Sequence, residues 1–309
     1  MKVKKRKKFM KIVLLLALVI VMITSISAFF AYNKIQSIAT DIHQPIEREY
    51  SVKRTKKVEL EEKDPISILL MGVDERPEEG DKGRADTLIV VTVNPVSNDV
   101  KMMSIPRDTY VNIPGYGLDK INHSYAFGDV ELAIQTVEGF LDIPIDYFLK
   151  VNMESFIQLI DETGGITVQN GTSFTSNGIF FGQGEITLRN GNEALSYIQM
   201  RYEDPRGDFG RQERQRIVVA AAVRKVAETR NPGELLNIVS VLSDSVKTNL
   251  SIEEVTELYN YYRKSANQIE MSSLDGGQGQ YINEIYYYVV PENSINEKSD
   301  ILRSHLNTE

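Results

Sequence analysis

From position 65 onward the chain alternates short apolar runs with stretches of helical spacing. Ser67–Val73 (SILLMGV), Thr87–Val93 (TLIVVTV) and Asp99–Ile105 (DVKMMSI) are compact runs rich in aliphatic and β-branched residues. That is the pattern of strands covered on both faces. Asn94-Pro-Val-Ser-Asn98 between the last two is turn chemistry, so they are expected to form a hairpin. Helical spacing then predicts helices over Val130–Leu141, Met153–Thr163, Asn192–Met200, Phe209–Arg230 and Ser251–Ala266. Gly164-Gly165 ends the second, Asn231-Pro-Gly233 closes the fourth, and Ser251 followed by Glu254 is a capping-box start for the last. Tyr147–Val151, Ile166–Val168, Ile269–Ser273 and Tyr286–Val290 are further strand candidates. Strands interleaved with helices predict an α/β fold, an α-β-α sandwich with a central mixed β-sheet.

The pattern before position 65 is different. Residues 1–11 carry seven positive charges and no negative one, and Ile12 to Tyr32 is uncharged and almost wholly apolar. As a helix, such a segment spans about 31 Å, enough for the hydrocarbon core of a bilayer. The basic flank predicts a cytoplasmic tail (1–11), a transmembrane helix (12–32) and everything beyond it outside the cell, a single-pass type II arrangement. A cleaved signal peptide is the alternative, with Ser25-Ile-Ser-Ala28 as a weak cleavage site, but the apolar run continues past it through Tyr32. Residues 33–64 are polar, without apolar periodicity, and are read as a stalk. Residues 65–309 are then the extracellular domain.

Charge narrows the function. The chain carries −8 overall, and its first 34 residues hold eight positive charges and no negative one, which leaves −16 on the remainder. A body so acidic argues against nucleic acid as a partner. The absence of cysteine excludes disulfides and thiolate metal sites, and the three histidines have no zinc-enzyme spacing.

Against this acidic background, Arg201–Arg216 packs five arginines and two aspartates into sixteen residues. Guanidinium groups this dense repel one another unless anions lie among them, and their planar forks suit phosphate oxygens. Arg211, Arg214 and Gln215 fall at i, i+3 and i+4 on one helical face, at a helix start that favours anions, with Asp208 as the expected N-cap. Three more segments carry Asp/Arg pairs at strand ends: Asp74 and Arg76 after the first strand, Arg84 and Asp86 before the second, Arg107 and Asp108 after the third. If the first and third strands run parallel around an antiparallel second, these segments meet at one sheet edge, where ligands of α/β sheets commonly sit. Carboxylates with waters would seat Mg²⁺, and the arginines would hold phosphate oxygens. Taken singly, each pair is an ordinary turn or surface ion pair; the coincidence points to a metal-assisted phosphate site. Arg206-Gly-Asp208 also matches an adhesion tripeptide, a three-residue pattern that recurs by chance.

These segments together resemble the LytR-CpsA-Psr family of bacterial membrane-anchored proteins. The resemblance rests on ILLMGVD (68–74), GRADTLIVVTV (83–93), SIPRDTYVNIPG (104–115), KINHSYAFG (120–128), DETGGITV (161–168) and MRYEDPRGDFGRQERQR (200–216), covering a core of 66–230. It implies transfer of a polyprenyl-pyrophosphate-linked glycopolymer, most like wall teichoic acid, onto peptidoglycan through a phosphodiester to a sugar 6-hydroxyl. Asp74 and Asp86 match aspartates associated with Mg²⁺ (Mn²⁺ being an alternative). Arg107, Arg201 and Arg211 match arginines on the pyrophosphate, and Gln215 a polar residue nearby. Where many members have Arg-x-Arg, this chain has Gln199-Met-Arg201, so the expectation is either a weaker clamp or compensation by Arg84 or Arg214. The competing readings are a hydrolase of the same lipid pyrophosphate and a non-catalytic regulator at the cell envelope.

Overall fold

The computed structural model describes residues 37, 39–75, 83–201, 204–229, 232–243 and 245–308. The expected tail and transmembrane segment, and Arg76, lie outside the described residues. Among the described residues no helix is long and apolar enough to cross a membrane.

The elements run in the following order. Strands β1 (Ile66–Val73), β2 (Ala85–Asn94) and β3 (Asp99–Ile105) lead into a small hairpin of β4 (Tyr110–Ile113) and β5 (Gly117–Lys120). Helix α1 (His123–Leu141), strand β6 (Tyr147–Val151) and helix α2 (Met153–Glu162) follow. Next come β7 (Ile166–Asn170), β8 (Phe174–Ser176), β9 (Ile179–Phe181) and β10 (Gly184–Leu188). Helices α3 (Gly191–Gln199), α4 (Asp208–Glu228) and α5 (Pro232–Leu242) precede β11 (Val246–Thr248) and α6 (Ile252–Tyr262). The chain closes with β12 (Ile269–Ser273), a hairpin of β13 (Gln278–Ile282) and β14 (Ile285–Val289), and α7 (Glu292–Leu306).

The central sheet has six strands in the order β11-β6-β1-β2-β3-β12. β2 is antiparallel to both β1 (Leu69 opposite Val90) and β3 (Val91 opposite Met102), while β6 and β12 are parallel to β1 and β3. The sheet is therefore mixed, and the ends of β1 and β3 share an edge with the start of β2. Successive residues serve opposite faces, as strand geometry requires. Leu88, Val90 and Met103 pack with Val137 of α1 and Leu302 of α7, whereas Ile89 and Met102 pack with Ala220 of α4. Each fully buried aliphatic side chain of this kind contributes about 1.5–3 kcal/mol. A separate core gathers Phe174, Phe181 and Tyr197 against Val218 of α4.

Three expectations are corrected. Residues 33–64 are not a free stalk throughout: Ile42–Glu309 forms one unit, with Ile42, Val58 and Leu60 buried in it. Arg48 pairs with Glu138 at 2.6 Å and Arg54 with Asp146 at 2.7 Å, both carboxylates nearly inaccessible. The segment lacks periodicity because it lies across the domain as an irregular strap. Next, the strand candidate Tyr286–Val290 forms β14, which lies outside the central sheet, paired with β13 and bridged through Tyr288 to Thr109. Finally, α4 begins at Asp208 and ends at Glu228, with Gly207 as its N-cap.

Candidate functional site

The shared sheet edge is shaped by backbone constraints. The β1–β2 register slips at Gly72/Val73, a bulge that turns the chain out of the sheet at Asp74. Gly83 returns it with φ +71°, and a Cβ there would lie 2.4 Å from the Asp74 carbonyl oxygen. Only glycine fits both the positive φ and the close approach. The result is a cleft of about 400 Å³ lined by Asp74, Gly83, Arg84, Asp86, Arg107, Asp108, Lys120 and Asn122. All three predicted strand-end segments contribute to it, through Asp74, through Arg84 and Asp86, and through Arg107 and Asp108.

Within the cleft, Arg107 Nη1 donates to Asp86 Oδ2 at 2.9 Å, and Asn122 Nδ2 donates to Asp86 Oδ1 at 3.1 Å. Lys120 Nζ donates to Asp108 Oδ1 at 2.8 Å. Lys120 and Asn122 belong to the KINHSYAFG segment (120–128), one of the family-like motifs, in which neither residue had a role of its own. They reach the cleft because the β4–β5 hairpin folds the chain back: the Ile121 and Asn122 amides donate to the Thr109 and Arg107 carbonyls. Beside Asp74, Glu75 accepts from Tyr125 and from Lys150 Nζ.

The arginine-dense segment splits into two groups. Arg211 Nη2 lies 2.6 Å from Asp208 Oδ1, and Arg201 Nε lies 3.9 Å from the same oxygen. Burial pushes the Arg211 guanidinium below its ordinary value; Asp208 opposes this, and the nearby charges of Arg107 and Arg201 reinforce it. Asp86 also acts on Arg211. The three arginines and two aspartates therefore form one electrostatic neighbourhood joining the cleft to the start of α4. Arg211, largely desolvated and facing the like charges of Arg107 and Arg201, is a guanidinium that an added anion would favour beyond its aspartate partners. Asp208 serves this cluster, not as an N-cap: its other oxygen accepts from Gln212 Nε2.

Arg214, expected among the substrate ligands, belongs to the second group. Its Nη1 donates to Asp204 Oδ2 at 2.6 Å, Nη2 donates to the Met200 carbonyl, and the guanidinium lies over the Phe174 ring at 5.3 Å. Both partners of the ion pair are only 5% exposed. Asp204 also accepts from the Arg206 amide and side chain, and Arg206 pairs with Glu213. This network holds residues 204–207 against α4. Gly210 makes room for it, since a Cβ there would fall 1.8 Å from Asp204 Oδ2. The adhesion-like tripeptide has both charged ends spent in these internal pairs. Gln215 is half-buried one turn beyond Arg211. Gln199 accepts from Asn177 at the tip of the β8–β9 hairpin at 3.1 Å, so it is turned to that hairpin. Arg84 is exposed on the cleft lining.

Burial raises the Asp204 carboxyl, but the hydrogen bonds from Arg214 and Arg206 outweigh it and hold the group below its ordinary value of 3.8. A carboxylate depressed in the folded state stabilises fully above its unfolded pKa, and that contribution fades as pH falls through the folded pKa. Thermal melts between pH 5 and 2 should therefore show a decline below about pH 4 that is shallower in Asp204→Asn. Equal slopes in the two proteins would mean that Asp204 is not held in this way.

The donor set suits Mg²⁺ bound partly through substrate. Among the described residues no three acidic or histidine side chains form a metal cage. Asp74 and Asp86 share the cleft, and the buried Asn122 Oδ1 beside Asp86 has no hydrogen-bond partner, a hard oxygen suited to a cation or its water.

Comparison with known proteins bears on this site. The profile of the LytR_cpsA_psr family matches residues 29–304. The polyisoprenyl-teichoic acid–peptidoglycan teichoic acid transferase TagU of Bacillus subtilis (strain 168) is 46% identical over 304 residues, covering 98% of this chain and 97% of that protein. TagU of Halalkalibacterium halodurans is 45% identical over 279 residues, covering 90% and 91%. The crystal structure of B. subtilis TagU superposes with a TM-score of 0.65 at 45% identity, over 80% of this chain and 99% of that one. The structure of TagT bound to LIIa-WTA gives a TM-score of 0.73 at 32% identity, over 86% and 100%.

Proposed function

The chain belongs to the LytR-CpsA-Psr family, and we propose that it transfers teichoic acid from a polyprenyl pyrophosphate carrier to peptidoglycan at this cleft. The observation that carries the reading is the cluster of Arg107, Arg201 and Arg211 around Asp86 and Asp208. A diphosphate is the anion whose charge and reach match three forks spread between a sheet edge and a helix start.

In the reaction, the acceptor sugar's hydroxyl oxygen attacks the phosphorus that bears the polymer. A new P–O bond forms, the anhydride P–O bond breaks, and polyprenyl phosphate leaves with the bonding electrons. Arg107, Arg201 and Arg211 hold the non-bridging and leaving oxygens, where charge grows in the transition state. Arg84 and Lys120 extend the positive field along the cleft. Asp74 and Asp86, with Asn122, would hold Mg²⁺ (or Mn²⁺), which neutralises phosphate charge when bound. A carboxylate on a metal is a poor base, so Asp108 is left to accept the hydroxyl proton. Residues 12–32 anchor the protein in the membrane, with the domain on the outer side, where a lipid-linked donor is met in two dimensions.

The test is to supply a lipid-pyrophosphate-linked polymer with and without peptidoglycan, and with Mg²⁺ or excess chelator. Polymer should couple to peptidoglycan as polyprenyl phosphate is released, and chelation should suppress both. Release that needs no acceptor and yields no coupled polymer would make the protein a hydrolase instead.

A further inference from the structure

The β13–β14 hairpin contains three consecutive tyrosines, Tyr286, Tyr287 and Tyr288, and the structure separates their roles. Tyr287 and Tyr288 are buried, while Tyr286 is 40% and its cross-strand partner Tyr281 77% exposed. Residues 276–282 and 285–290 contain no charged side chain. The hairpin is fastened to the cleft, since the Tyr288 amide donates 2.8 Å to the carbonyl of Asp108, whose side chain lines it.

Antiparallel register puts Gly279, Tyr281, Tyr286 and Tyr288 on one face. On that face Tyr288 meets Phe209 at the start of α4 with ring centroids 5.3 Å apart, and Tyr286 meets Tyr281 at 5.6 Å. The Tyr286 ring lies over Gly279, where a Cβ would come within 2.7 Å of it. Glycine there lets the ring lie down against the strand. A line of aromatic rings thus leads from the arginine cluster outward to solvent. Asp108 and Asp208 are close enough that, together with burial, they raise the Tyr286 phenol.

We infer that this face, through Tyr281 and Tyr286, holds the glycan strand of the acceptor and presents its hydroxyl to Asp108. The inference rests on the transferase reading of the cleft. A pyranose offers an apolar C–H face and a rim of hydroxyls, which matches a tyrosine ring with its polar tip. An anionic glycerol-phosphate polymer would need cations, and residues 276–282 and 285–290 offer none. Continuity with the cleft and the lack of charge on this face therefore both select the neutral glycan.

The experiment titrates the intact protein and its Tyr281→Ala/Tyr286→Ala variant with a tetramer of N-acetylglucosamine, and separately with a glycerol-phosphate oligomer, by calorimetry. The wild type should bind the sugar tetramer, with affinity about tenfold weaker in the variant. In the transfer assay the acceptor KM should rise about tenfold while the donor KM stays unchanged. Tyr281→Ser alone removes an exposed ring and should shift affinity in the same direction, and Tyr286→Phe should retain it. No sugar binding by the wild type, equal affinity in wild type and variants, or a preference for the glycerol-phosphate oligomer would each overturn the assignment. Sugar binding is read without turnover, so failure of the transferase reading leaves this result legible.

Discussion

Arg211→Ala should lower the transfer rate by about 10²–10³-fold with little change in thermal stability. Arg211 is only 18% exposed, and it sits between Asp208 at 2.6 Å and the like charges of Arg107 and Arg201. Holding three guanidinium groups together costs free energy before substrate arrives. A diphosphate removes that cost, and the relief grows as negative charge accumulates in the transition state. Alanine loses the interaction but also relieves the repulsion, so the fold has little to lose. Arg211→Lys should recover part of the rate, because it restores charge without the fork. The measurement is kcat with saturating donor and acceptor, alongside Tm. A kcat within a few fold of wild type would detach Arg211 from the chemistry. A collapse of Tm would make its role structural.

Asp204→Ala should behave in the opposite way, destabilising the fold by about 3–5 kcal/mol. The pair with Arg214 is buried on both sides, and besides Asp204 the guanidinium meets the Met200 carbonyl and the Phe174 ring, neither of which carries a charge. Removing the aspartate leaves a cation inside the protein, where its hydration cannot be replaced. Urea unfolding of wild type, Asp204→Ala and Asp204→Ala/Arg214→Met separates the causes. The double variant should regain much of the loss, because the stranded charge is gone. If Asp204→Ala costs less than about 1 kcal/mol, the pair is solvated and the loop is held by other contacts.

These two outcomes mark how far the sequence could be read. The strand-end aspartates and arginines were legible because β1, β2 and β3 are unmistakable apolar runs, and strand direction then dictates which ends meet. Arg211 was legible from its place at a helix start. Arg214, one turn further on, was not. Its partner lies across a Pro/Gly loop whose path depends on Gly207 and Gly210, and nothing in the helical pattern distinguishes a buried guanidinium from a cleft-facing one. Lys120 and Asn122 were legible only as part of the KINHSYAFG motif and not as individual partners, since only the return of the β4–β5 hairpin brings them to Asp86 and Asp108. The strap before Pro65 was misread because its anchors are isolated apolar residues and charges whose partners, Glu138 and Asp146, lie some ninety positions away.

That strap has a mechanical meaning. A pull transmitted along the polypeptide reaches Ile42 and His43 first, where His43 bridges to Thr248 on the edge strand β11. It is then borne by the Arg48 and Arg54 clasps, which grip α1 and the start of β6. None of these attachment points contributes a side chain to the cleft lining. Tension applied through the N-terminal side of the chain is thus grounded in the scaffold, and the cleft edge of the sheet is spared the load.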